Sequence, residues 1–272
     1  MDTGAVPVAG DSRSTFYADA LRRLTQAGIP FLVGGAFAQS RYTHMYRDTK
    51  DLDLFLRPDA VEGALALLTR AGYETTLPYP HWLAKVRLGP HLMDVVFNSG
   101  NGIARVDDDW FTYAVEDDVL GMRLKLCPPE ESIWAKAFVQ ERERFDGADV
   151  MHLIRARGRT LDWERLLARF GDHWRVLLGH LVLYGFVYPD RREDIPAHLL
   201  RMLTERLLAQ QPDPDNRVCY GTLLSREQYL PALHVFGYED ARVEPHGDMT
   251  HAQREIWTQA IKDPNASRDA SP

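Results

Sequence analysis

Cysteine is scarce in this chain: two among 272 residues, Cys127 and Cys219, far apart and outside any CxxC or Cys/His spacing. That excludes a disulfide framework and a cysteine-based zinc site, and it suits a reducing compartment. Long apolar runs are missing as well. No stretch approaches the roughly 18 apolar residues that a spanning helix needs, and the opening MDTGAVPVAGDSRS has no basic segment followed by an apolar core. Neither membrane insertion nor secretion is expected, and the cytoplasm is the expected location. Positive charge is not in excess: 32 Lys and Arg face 39 Asp and Glu, a formal charge of -7. An acidic balance disfavours broad, non-specific binding to nucleic acid while leaving room for a local basic cleft. Internal repeats and low-complexity tracts are absent.

What is present is an ordinary globular composition, 45% hydrophobic and 26% charged, sufficient for one large domain or two smaller ones. Apolar residues at Phe16, Ala20, Leu21 and Leu24 predict a helix ending at Gly28. The run 29–33 reads as a short buried strand, and Gly34-Gly35 turns it into a helix reaching Thr43. Residues 51–56 read as a second strand, followed by a helix over Val61 to Leu68 that stops near Gly72. Strands over 82–88 and 91–97 are joined by the turn Gly89-Pro90. From Pro128 the pattern turns helical: a helix opened by Pro129-Glu130-Glu131 and running to Arg144, then helices over 149–157, 162–170, 173–186, 196–210 and 250–261. The break at 211–216 leaves 218–237 ambiguous, and 263–272 reads as a polar, disordered tail.

The second strand carries the chemistry. Side chains alternate along a strand, so Leu52, Leu54 and Leu56 share one face and Asp51 and Asp53 the other. Aspartate is a poor strand former, and two neighbouring carboxylates repel unless a cation lies between them. Mg²⁺, or Mn²⁺ in its place, favours a few carboxylates completed by phosphate oxygens and water. The alternative is a solvated edge strand with two exposed acids. Gly34-Gly35 opens a helix after an apolar strand, where backbone N–H groups favour phosphate oxygens. A Cβ at Gly35 is expected to block the approach of those phosphates while leaving the fold largely intact. Asp94 supplies a third acid inside the apolar run Met93 to Phe97, where burial demands a partner or a metal.

Read together, Gly34-Gly35-Ala36-Phe37-Ala38, the R-x-T-x-D-[LIV]-D form at Arg47 to Asp53, and Asp94 resemble the DNA polymerase beta-like nucleotidyltransferase superfamily. The branch they resemble contains the abortive-infection nucleotidyltransferase toxins and the small antibiotic nucleotidyltransferases. The resemblance spans about residues 31–154. It implies an α+β fold, with a mixed-sheet nucleotidyltransferase core and flanking helices at 1–127. A mainly helical region at 128–262 would follow and complete the cleft. It also implies that Gly34 and Gly35 bind the phosphates of a nucleoside triphosphate and that Asp51 and Asp53 bind metal. Asp94 would be metal ligand and base toward the acceptor, with Arg47, Thr49 and Lys136 as nucleotide contacts. The reaction so implied moves a nucleoside monophosphate from NTP to an acceptor hydroxyl on a small molecule, a tRNA or a protein. A toxin with an antitoxin partner and a non-catalytic nucleotide-binding module are the alternatives.

Overall fold

The computed structural model describes residues 12–47 and 49–260; the expected tail at 263–272 lies outside these, as does Asp48 within the Arg47 to Asp53 motif. Two compact units form. Of the described residues, the first contains those up to Pro128 together with those from His251, and the second runs from Pro129 to Thr250.

The first unit begins with α1 (Ser12–Gln26), whose buried face carries Phe16, Tyr17, Ala20, Leu21 and Leu24. A two-residue strand β1 (Leu32–Val33) passes through Gly34 into α2 (Gly35–Thr43). Strand β2 (Asp51–Phe55) leads to α3 (Pro58–Arg70), with proline in the first helical turn, where no intrahelical N–H is needed. Three strands follow: β3 (Glu74–Tyr79), β4 (Leu83–Leu88) and β5 (His91–Val96). The short helix α4 (Asp108–Thr112) is capped by Asp107, whose carboxylate accepts from Asp109 N at 3.1 Å. A hairpin of β6 (Val115–Val119) and β7 (Met122–Leu126) completes the sheet.

The strand order is β3-β4-β5-β2-β1-β7-β6 in a seven-stranded sheet. Strands β2 and β5 run parallel, as do β1 and β7, and the other neighbours are antiparallel. The fold is therefore α+β with a mixed sheet, as the sequence implies. Strand β3 carries Pro78 and shows an irregular register between Thr76 and Tyr79. Proline cannot donate to a ladder and is confined to sheet edges, which is where β3 lies. Strand β2 lies in the interior, between β5 and β1. Its leucines Leu52 and Leu54, with Leu56 beyond, are fully buried.

In the second unit, α5 (Pro129–Ala137) is shorter than the expected helix to Arg144. The chain turns instead, and Gln140 bridges Phe145 in antiparallel fashion. Then follow α6 (Gly147–Arg157), α7 (Trp163–Phe170), α8 (Trp174–Val187) and α9 (Ala197–Ala209). Their interior holds charge as well as apolar bulk. Glu131 is fully buried and is paired by Arg165 and Arg169. The ambiguous stretch resolves into a two-residue strand β8 (Val218–Cys219), a 3-10 turn at Tyr220–Leu223, α10 (Leu230–His234) and β9 (Glu239–Asp240), with β8 and β9 parallel. Helix α11 (His251–Gln259) belongs to the first unit, where the Trp257 ring meets Tyr79 at 5.1 Å and Trp82 at 5.0 Å. Among the described residues no helix is long and apolar enough to cross a membrane.

Candidate active site

The acidic face of β2 is buried. Asp51 is 2% exposed and Asp53 3%, which removes the exposed-edge alternative for the D-x-D triplet. Parallel pairing sets Asp53 directly opposite Asp94 on β5. Register partners in a sheet project to the same face, so the three acids of the sequence motif share one side of the sheet. Asp94 is 3% exposed. Burial pushes its carboxyl up to about 6, and the neighbouring Asp51 charge adds to this while Lys85 opposes it.

Lys85 stands outside the sequence motif and is the partner of Asp94. It lies on β4 directly opposite Asp94, and its Nζ donates to Asp94 Oδ1 at 3.2 Å and lies 3.5 Å from Oδ2. Both side chains are almost wholly buried. A signal for this pairing exists in the sequence. A two-residue turn at Gly89-Pro90 sets Leu88 opposite His91, and the antiparallel register then carries Lys85 to Asp94.

The approach to β2 is held by side chains of the preceding loop and of α1. Thr49 Oγ1 lies 2.9 Å from Asp51 Oδ1 and 3.0 Å from Asp51 O. Arg13 Nη1 donates to Thr49 O at 2.8 Å, and Tyr17 OH donates to Lys50 O at 3.5 Å. Tyr17 is fully buried. Its phenol is held well above the usual range by burial, against Arg13 and reinforced by the carboxylates of Asp51, Asp53 and Asp94. The helical periodicity of α1 marks Phe16 and its neighbours as core and gives no sign that Tyr17 looks toward the acids.

The glycine pair is explained by β2 itself. Gly35 has a φ of +52°, and a Cβ on it would stand 1.6 Å from Asp53 Oδ2. A Cβ on Gly34 would stand 2.2 Å from the Phe55 ring, and Gly34 N donates to Asp53 O at 2.9 Å. A side chain at Gly35, expected to block phosphate approach with the fold largely intact, would first collide with a carboxylate of the site.

Arg47 is exposed in the segment between α2 and β2. Lys136 belongs to the second unit, where its Nζ donates to Asp149 Oδ2 at 2.8 Å and to Asp146 Oδ2 at 3.1 Å. Arg144 pairs with the same Asp146. Burial works against the Asp146 carboxylate, yet Lys136 and Arg144 together hold its pKa down at about 2.

Does the acidic face fit a metal? Among the described residues, no group of three or more His, Cys, Asp or Glu gathers to hold one. Asp51 and Asp53 fit the smaller requirement of Mg²⁺ or Mn²⁺, for which one or two carboxylates suffice when substrate phosphates and water complete the shell. Their donors are all oxygen, which suits a hard cation. Two buried carboxylates on one face of a strand also gain from a positive charge.

No family model and no curated protein matches the sequence. Solved structures similar to the chain include the solution structure of the antibiotic-resistance factor ANT(2'')-Ia, with a TM-score of 0.43, 16% identity, and coverage of 62% of this chain and 96% of that one. The crystal structure of the lincosamide antibiotic adenylyltransferase LnuA with lincomycin bound gives 0.39, 13%, 53% and 96% for the same measures. An antigenic nucleotidyltransferase-like protein from Paracoccidioides brasiliensis gives 0.36, 16%, 64% and 94%. At these TM-scores the likeness is partial, and the functional reading is carried by the site itself.

Proposed function

We propose that the chain is a divalent-metal-dependent nucleotidyltransferase that moves a nucleoside monophosphate from a nucleoside triphosphate to an acceptor hydroxyl. The observation that carries this reading is the direct pairing of Asp53 with Asp94 across two parallel strands, buried, with Asp51 on the same face. Asp51 and Asp53 are the residues that would hold the ion. When bound, it supplies charge neutralisation for the triphosphate and the departing pyrophosphate.

Asp94 accepts the proton of the acceptor hydroxyl. Its carboxyl, pushed up to about 6, is poised close to neutral pH, where a general base combines adequate basicity with a large ionised fraction. The acceptor oxygen forms its bond to the α-phosphorus, the bond between that phosphorus and the bridging oxygen breaks, and the electron pair leaves on pyrophosphate. Gly34 and Gly35 open α2, whose N-terminal backbone favours phosphate oxygens. Thr49 steadies the Asp51 carboxylate that would hold the ion.

The test is transfer itself. The protein is incubated with each of the four α-labelled nucleoside triphosphates, Mg²⁺, and separate pools of hydroxylated small molecules, tRNA and protein. Label appearing on one pool, with stoichiometric pyrophosphate, is the expected result. Tight nucleotide binding with no transfer to any pool would contradict it and leave a binding module.

A further inference from the structure

One row of side chains crosses three adjacent strands: Asp53 on β2, Asp94 on β5 and Lys85 on β4, each the direct register partner of the next. All three are buried. The Lys85 ammonium reaches both oxygens of Asp94, at 3.2 and 3.5 Å, so it spans the carboxylate rather than touching one corner. An ammonium held in this way does two things that a cation bound to Asp94 would do. It offsets the charge that Asp94 places beside Asp53, and it fixes the direction in which the carboxylate points.

The same contact makes Asp94 a poor ligand for a divalent ion. Such an ion sits about 2.0–2.1 Å from its oxygen ligands when it is Mg²⁺. At Asp94 it would share one carboxylate with a buried positive charge only a few ångströms away, where repulsion is weakly screened. Asp51 and Asp53 lie on β2, one strand further from Lys85 than Asp94 is.

We propose that Lys85 takes the place of a second metal ion: it is the positioning residue for Asp94, and the chain holds a single divalent ion, on Asp51 and Asp53. This rests on the nucleotidyltransferase reading above and goes beyond it in the number of ions and the task of Lys85.

The experiment counts Mn²⁺. Wild-type protein, Asp51→Asn, Lys85→Met, Lys85→Gln and Lys85→Arg are dialysed to equilibrium against Mn²⁺, and bound ion is measured with low-temperature EPR on the same samples. The expected wild-type result is one bound Mn²⁺ per chain with an uncoupled spectrum, lost in Asp51→Asn and retained in Lys85→Arg. Lys85→Met and Lys85→Gln are expected to admit a second Mn²⁺, coupled to the first because paired ions in such sites lie about 3.5–4 Å apart. Two coupled ions in the wild type overturn the inference, whether or not the variants fold. So does a single uncoupled ion in both folded neutral variants. Failure of the broader reading looks different: no Mn²⁺ bound by the wild type, and no change in Asp51→Asn, removes the metal site and the inference with it.

Discussion

The β-carbon that Gly35 lacks would stand 1.6 Å from the Asp53 carboxylate, so the first residue of α2 is glycine because a strand acid occupies the adjoining space. The φ of +52° at Gly35 adds a second penalty for any side chain. Gly35→Ala should therefore displace Asp53 and also lower stability, by about 1 kcal/mol or more. Metal-dependent nucleotide affinity and thermal midpoint should fall together. A variant that loses affinity at an unchanged midpoint would show that the glycine serves only phosphate approach.

Nucleotide binding should require the divalent ion. The Asp51 and Asp53 charges repel a triphosphate unless a cation lies between them. Calorimetry with Mg²⁺ and again with EDTA should show binding only in the first, and Asp51→Asn or Asp53→Asn should weaken it. Equal affinity in both conditions would leave the two aspartates without a ligand role.

Thr49 offers a finer probe of the same carboxylate. Its hydroxyl lies 2.9 Å from Asp51 Oδ1, and a hydrogen bond to a charged group is worth about 1.5–3 kcal/mol. Thr49→Val should reduce Mn²⁺ affinity by about tenfold or more, with Thr49→Ser restoring most of it. Equal affinities for valine, serine and threonine at this position would mean that the hydroxyl serves its backbone contact alone.

In the second unit, the pH dependence of stability should report Asp146. Its folded pKa of about 2 lies below the ordinary 3.8, so the ion pairs with Lys136 and Arg144 stabilise the fold above pH 3.8 and are lost as pH falls toward 2. The shift corresponds to about 2 kcal/mol. Asp146→Asn should therefore melt well below the wild type at pH 6, and the gap should close between pH 4 and pH 2. A gap independent of pH would assign the loss to packing.

The parts of this molecule that sequence periodicity could reach were those whose signal is local. Leu52, Leu54 and Leu56 alternate with Asp51 and Asp53, and the structure buries the leucines as a strand pattern requires. The turn at Gly89-Pro90 likewise marks the β4 and β5 hairpin. Strand β3 is hidden in the sequence because Pro78 and its exposed polar residues erase the alternation, as an edge strand permits. Helix α5 stops at Ala137 although apolar and charged residues continue in helical spacing, because Gln140 and Phe145 pair across a turn that composition does not mark. Lys85 is hidden for another reason: it serves Asp94 rather than a substrate, and the register of two strands brings them together. Tyr17 hides within an apolar helix face for the same reason, its hydroxyl reaching Lys50 O beside the acids.

Asp94→Asn tests the central claim most directly, because it should separate binding from chemistry. An amide cannot accept the proton of the acceptor hydroxyl, whereas Asp51 and Asp53 still hold the ion and the triphosphate. Single-turnover transfer from the α-labelled nucleotide should fall by about 10²-fold or more, with metal–nucleotide affinity changed by less than about threefold. Transfer at the wild-type rate in Asp94→Asn would contradict the account and reduce Asp94 to the buried partner of Lys85.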